Sequence, residues 1–164
     1  MARPSDVLAA LMSDLAVITY RWCAANQALA ANVSPSPDRA YTWGMPLIVE
    51  DVDQGNQATI AVPYRGRLTW QIPFVKSARD QGTNLGPVNA VMPFDLTVFD
   101  VSADLRRIFY TPTCAASNVC DDIRIGKVVV APPEAATSAQ IVMGSVEIVC
   151  IYEDDHRLQP YQEP

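Results

Sequence analysis

Hydrophobic positions in this chain recur mostly with a period of two, in short runs cut by turn residues. In residues 57–74, Ala58, Ile60 and Val62 share one parity, then Leu68, Trp70 and Ile72 alternate with Thr69 and Gln71. Successive strand side chains point to opposite faces, so the pattern predicts two β-runs with one buried face each. The break falls at Pro63-Tyr64-Arg65-Gly66, where glycine can supply a turn. Proline cannot donate to a ladder, so Pro63 and Pro73 are expected at strand ends or on an edge.

Upstream, residues 5–12 predict a short helix, with Ser5 as N-cap and Val7, Leu8 and Leu11 on one face. Residues 14–23 carry two patterns. Leu11, Leu15, Ile18 and Trp22 continue a helical stripe, whereas Val17, Ile18, Thr19, Tyr20 and Trp22 are β-branched or aromatic; the second pattern predicts a strand. Residues 24–39 lose periodicity and read as a loop. Residues 40–49 are extended, divided by Gly44 and Pro46 into two edge pieces, and 51–56 form a polar turn.

Downstream, residues 76–88 predict a long exposed loop. Residues 91–101 read as a strand with Phe94, Leu96, Val98 and Val101 in the core, followed by a short run at 105–110. Residues 123–131 are valine-rich, as a buried strand would be. Residues 139–152 give the longest strand, with Ile141, Met143, Val146, Ile148 and Cys150 apolar; Gly144 within it signals a bulge or a close backbone approach. The expectation is all-β: roughly eight short strands in an antiparallel jelly-roll β-sandwich, with a short N-terminal helix.

Composition narrows this picture. A length of 164 residues suits one domain, and 49 % hydrophobic against 18 % charged residues describes a globular chain. Thirteen prolines against seven glycines punctuate many short elements and argue against a helical bundle. The net charge of −6, with no Lys/Arg cluster beyond Arg106-Arg107, disfavours a direct nucleic-acid reader. The apolar patch at 7–17 is interrupted by Asp14 and reads as neither a signal peptide nor a membrane span.

Candidate chemistry is sparse. Cys23 and Cys150 lie in apolar runs and read as free buried thiols, while Cys114 and Cys120 flank a small loop and could bridge if oxidised. The single histidine, His156, sits beside Asp155 and Arg157 near the C-terminus, a poor setting for a preorganised base. No catalytic, metal or cofactor residues are assigned, and the chain is expected not to be an enzyme. Trp43, Trp70 and Tyr64 could stack on a ligand, although core or interface packing is the commoner use of such residues.

Three segments, in order and spacing, resemble picorna-like virus capsid proteins of the picornavirus and dicistrovirus type. Ala58-Thr-Ile-Ala-Val-Pro-Tyr64 is similar to the strand and "VPY" segment of that family. Gly44-Met-Pro-Leu-Ile-Val-Glu-Asp51 looks like the run preceding it. Gly144-Ser-Val-Glu-Ile-Val-Cys-Ile-Tyr-Glu-Asp-Asp-His-Arg-Leu158 resembles the last strand, with its acidic pair. The best match spans residues 39–158, and 159–164 read as a surface tail. The N-terminal third lacks a clear match to the family's early strands and arginine-glycine segment, so the expectation is either a compact member or an incomplete N-terminal part whose first strand and arm lie outside this sequence. His156 stands where the family often has phenylalanine, and Asp154-Asp155 are expected to be a solvated acidic strand end.

The resemblance implies a single jelly-roll domain that tiles an icosahedral shell. Its partners would be copies or sister capsid proteins, the enclosed RNA indirectly, and a host receptor, with no membrane. Its place would be the virion, and the host cytoplasm during assembly. The alternative is a cellular β-sandwich module that binds carbohydrate or protein.

Overall fold

The computed structural model describes residues 3–24, 41–53, 64–77, 92–130 and 141–154. Their order is α1 (Pro4–Leu15), a 3-10 turn (Ala16–Ile18), β1 (Thr19–Cys23), β2 (Tyr41–Gly44), β3 (Leu47–Asp53), β4 (Tyr64–Ser77), α2 (Met92–Phe109), a 3-10 turn (Ala115–Asn118), β5 (Asp122–Val130) and β6 (Ile141–Asp154). The six strands form one mixed sheet in the order β1-β2-β4-β6-β5, with β3 also paired to β4. The fold is thus mostly β-sheet with an N-terminal helix. The second sheet that a sandwich needs is not among the described residues.

The centre of the sheet is the antiparallel pairing of β4 with β6, in unbroken register from Tyr64↔Asp154 to Ser77↔Ile141. One parity faces the core: Leu68↔Cys150, Trp70↔Ile148 and Ile72↔Val146 are buried cross-strand pairs. The same face receives both helices. Val7, Leu11 and Leu15 of α1, and Val101, Leu105 and Phe109 of α2, join these strand residues in one hydrophobic cluster. The spacing of four residues in each triplet places it along one helix face.

Two sequence expectations fail in instructive ways. Of the runs 91–101 and 105–110, expected as extended, Met92–Phe109 forms a single helix, α2. Val101, Leu105 and Phe109 carry a helical period, and the positions between are mostly polar or small: Ser102, Ala103, Asp104, Arg106 and Arg107, with Ile108 the apolar exception. The β-branched and aromatic residues before Val101 had pulled the reading toward strand; tertiary burial overrides that weak preference. The side chains of Phe94, Leu96 and Val98 lie outside the described residues.

Second, Gly66 is not a turn residue. It lies inside β4, opposite both Asp53 and Tyr152, and β4 continues through Pro73. The run at 58–62 lies outside the described residues. Pro73 is tolerated because β4 changes partners there on one side. Pairing with β3 ends at Leu47↔Gln71 and pairing with β2 resumes at Trp43↔Phe74, leaving Pro73 opposite the gap.

Smaller differences follow the same logic. α1 runs to Leu15, three residues past the expected end, so the expected strand begins at Thr19 and not at Asp14. Its N-terminus is held by Asp6, whose carboxylate accepts from the Arg3 N–H at 2.9 Å; Ser5 lies inside the helix. Gly44 and Pro46 do split β2 from β3. β2 lies between β1 and β4 and is not an edge strand, and the expected polar turn at 51–56 begins as strand, since β3 runs to Asp53. β5, expected to be buried, is a sheet edge with only Ile123 fully enclosed. It contains a register shift between Ile125 and Val128.

Gly144 meets the backbone closely, as its place within a long strand suggested. A Cβ there would collide with the Val129 carbonyl oxygen and lie 2.9 Å from Phe74 Cζ. A Cβ at Gly126 would meet chiefly the mobile end of Glu147. Gly144→Ala is therefore expected to cost about 2 kcal/mol or more. Gly126→Ala should stay within about 1 kcal/mol. Urea unfolding midpoints at unchanged slope check both.

Candidate functional site

Three features outside simple core packing are formed by the described residues: an open strand edge, a buried polar network and a buried pair of thiols.

The edge belongs to β3. This strand pairs with β4 only, among the described residues. Its first three residues are apolar and open: Leu47 is 50 % exposed, Ile48 50 % and Val49 60 %. Ile48 pairs with Trp70 and Glu50 with Thr69, so Val49 is an extra residue in a bulge. The rest of β3 is acidic and tied down. Glu50 accepts from Arg67 at 3.2 Å and from Thr69 Oγ1 at 3.4 Å. One strand therefore presents an apolar half and a charged half along the same edge.

The polar network joins α2 to the sheet. The Tyr41 hydroxyl donates to Asp104 Oδ2 at 2.7 Å and accepts from Lys76 Nζ at 3.3 Å. Lys76 Nζ also lies 3.7 Å from Asp104, and Arg107 reaches the other Asp104 oxygen at 3.6 Å. Tyr41 stacks on Trp43, with ring centroids 4.8 Å apart, and meets Phe74 edge-on at 5.9 Å. Tyr41 is fully buried and Lys76 nearly so. The cluster satisfies a buried cation and phenol, and its closed setting gives it a structural role.

A second carboxylate, this one buried, acts similarly. Asp14, the polar residue that interrupts the first apolar patch, accepts from the Ala115 and Ala116 N–H groups at 2.7 and 2.8 Å. These are the first donors of the 3-10 turn before β5, so α1 caps a segment about a hundred residues away.

The thiols are all free and all buried. Cys114 donates to the Phe109 carbonyl at 3.4 Å. Cys114 and Cys120, which flank one loop, are not bridged. Interaction with the Cys150 thiol holds the Cys120 thiol below its ordinary pKa, against burial and the charges of Asp121 and Asp14. Interaction with Cys120, with burial, pushes Cys150 up.

Of the residues weighed for ligand stacking, Trp43 and Trp70 lie buried in the core, and the indole N–H of each has no hydrogen-bond acceptor among the described residues. The Tyr64 side chain, Asp155, His156 and the tail at 159–164 lie outside the described residues, as does most of the loop at 76–88. Asp154 ends β6, opposite Tyr64. Among the described residues no three His, Cys, Asp or Glu side chains gather as metal ligands, and no helix is long and apolar enough to cross a membrane. Neither the models of known protein families nor the curated proteins include a match to this chain.

Sequence reading missed Tyr41, Asp104 and Lys76 as a unit, because they come from three separate elements. Asp14 did carry a signal: a lone carboxylate on an apolar helix face has to find donors.

Burial, then the hydrogen bond to Asp104 and the charges of Asp104 and Asp100, push the Tyr41 phenol well above its ordinary value of 10.0. The unfolded chain releases this proton near pH 10 while the folded one keeps it, so stability is full below that pH and falls as pH rises beyond it. Tyr41→Phe should lower stability by about 1 kcal/mol at pH 8 and flatten the fall between pH 10 and 11. Chemical denaturation across that range reads both effects.

Proposed function

We propose that this chain is a structural protein, a jelly-roll subunit of a small icosahedral RNA virus capsid. It would tile against copies of itself or sister capsid proteins, enclose RNA without reading it, and present outer loops to a host receptor. The observation that carries the reading is the β3 edge, where Leu47, Ile48 and Val49 offer apolar surface on a strand that pairs only with β4 among the described residues. Such edges are templates for pairing with another chain, and folded monomers usually blunt them. The acidic half of β3 would limit the register in which a neighbour could dock.

Two further features support a jelly roll. The last strand pairs with a mid-chain strand, β6 with β4, as the nonlocal order of Greek-key folds requires. The face of the sheet opposite the helices is not wholly polar: Val75 is buried there, and Met143, Val149 and Ile151 are half-buried. A second layer would have apolar surface to cover. The resemblance of residues 44–51, 58–64 and 144–158 to picorna-like capsid proteins names the kind of assembly.

A cellular β-sandwich binding module is the alternative. It would need an aromatic platform within reach of solvent; Trp43 and Trp70 are enclosed in the core, and the exposed Tyr20 and Tyr110 belong to separate elements. The open apolar edge of β3 gives the assembly reading precedence.

Sedimentation velocity on the purified chain tests it. The expected result is a concentration-dependent shift to pentamers or larger closed particles. Ile48→Lys with Val49→Lys should return the chain to monomer with an unchanged far-UV spectrum. A wild-type chain that stays monomeric at all concentrations and salt conditions would overturn the proposal.

A further inference from the structure

The sheet has a second open edge, on the side away from β3. Among the described residues β5 pairs with β6 only, and β6 separates it from β4, which holds β3 on its other side. The two edges carry matching chemistry in opposite order. β3 begins apolar, at residues 47–49, and turns acidic at Glu50 and Asp51, both exposed. β5 carries its cations first, Arg124 and Lys127, both exposed, and ends apolar at residues 128–130, where Val129 is 43 % exposed. Arg124 already meets Asp122 at 2.7 Å on the surface. An exposed pair of this kind contributes little, and a guanidinium keeps further donors for another carboxylate.

An antiparallel approach lays the apolar half of one strand along the apolar half of the other, and the carboxylates along the cations. In a parallel approach, apolar ends meet charged ends. The irregularities of the two strands match as well. Ile48 and Asp51, opposite Trp70 and Leu68, take the core-side parity three residues apart, across the bulge in β3. Ile125 and Val128, opposite Ile148 and Val146, take it three residues apart across the register shift in β5. Setting Ile48 opposite Val128 therefore sets Asp51 opposite Ile125, keeps both faces of the sheet in phase and brings the two bulges together. Glu50 then falls opposite Gly126, between Arg124 and Lys127.

We propose that the neighbour seated on β3 is the β5 edge of a second copy, antiparallel, so that one sheet runs on from subunit to subunit. This pairing takes the assembly proposed above as given and names its partner strand. Main-chain hydrogen bonds supply the affinity, and the charged halves fix direction and register. The contact joins two different surfaces, so it is head-to-tail, and successive copies close into a ring when the rotation per copy divides a full turn.

Sedimentation velocity of charge-reversed chains tests the pairing, with far-UV spectra checking the fold of each. Arg124→Glu with Lys127→Glu should raise the concentration needed for assembly by about tenfold or more at low salt, because two acidic halves then meet. Glu50→Lys with Asp51→Lys should do the same through two basic halves. An equimolar mixture of the two variants should co-assemble with both chains in equal amounts, since each offers the edge that the other lacks. Amide exchange on the unaltered chain needs no variant: residues 47–49 and 128–130 should gain protection together as concentration rises. An unaltered chain that stays monomeric overturns the assembly and this pairing with it. If the unaltered chain assembles, three results overturn the β5 pairing alone: undiminished assembly of the β5 reversal, a mixture of folded variants that stays monomeric, or protection at 47–49 without protection at 128–130.

Discussion

The antiparallel ladder between β4 and β6 is the constraint on which the rest of the structure depends. Each strand is 14 residues long, and they pair without a bulge from end to end. A register slip of one residue would turn Leu68, Trp70, Ile72, Val146, Ile148 and Cys150 out of the core together, so the hydrophobic pattern itself pins the alignment. With that alignment fixed, β2 and β3 can share one side of β4 in tandem and β5 can add to the far side of β6. The helices then have a continuous apolar face to cover. The two strands are far apart in sequence, so closing this ladder is entropically costly and is repaid only when the whole face is buried.

The polar interior is arranged around the same face. Asp104 brings α2 to Tyr41 and Lys76, and Asp14 brings α1 to the turn before β5. Each helix is therefore attached by an apolar stripe and by one carboxylate with dedicated donors, buried at Asp14 and partly exposed at Asp104. A misplaced helix would leave those donors and the Lys76 ammonium unpaired, which penalises alternative packings more than it stabilises the native one. Among the described residues, the large apolar side chains left open are Leu47, Ile48 and Val49 of β3 together with Val17, Tyr20, Tyr110 and Val129.

Much of this was legible in the sequence where one face of a strand is buried. The alternation through residues 141–152, and through Leu68, Trp70 and Ile72, marks the two central strands because a half-buried strand imposes period two on its residue types. Gly44 and Pro46 mark the division of β2 from β3 because no ladder passes through both. The helix α2 was not legible, since its first half is rich in residues favoured in strands and its helical period emerges only at Val101, Leu105 and Phe109. Gly66 misled for a related reason: glycine permits a turn but does not compel one, and here the partner strands on both sides keep it extended. The Tyr41–Asp104–Lys76 network and the Cys120–Cys150 pair depend on tertiary neighbours, and no local spacing encodes them. Asp14 was visible as an exception to a pattern, but its partners at Ala115 and Ala116 were not.

The account joins a closed β4–β6 core to the proposal that a neighbouring chain docks on the β3 edge, which pairs only with β4 among the described residues. Amide hydrogen exchange at low and high protein concentration measures both halves at once. β4 and β6 amides should be the slowest in either condition, and amides of residues 47–49 should become protected only as concentration rises. Equal and strong protection of residues 47–49 at both concentrations, or β4 amides exchanging as fast as those of β1, would contradict it.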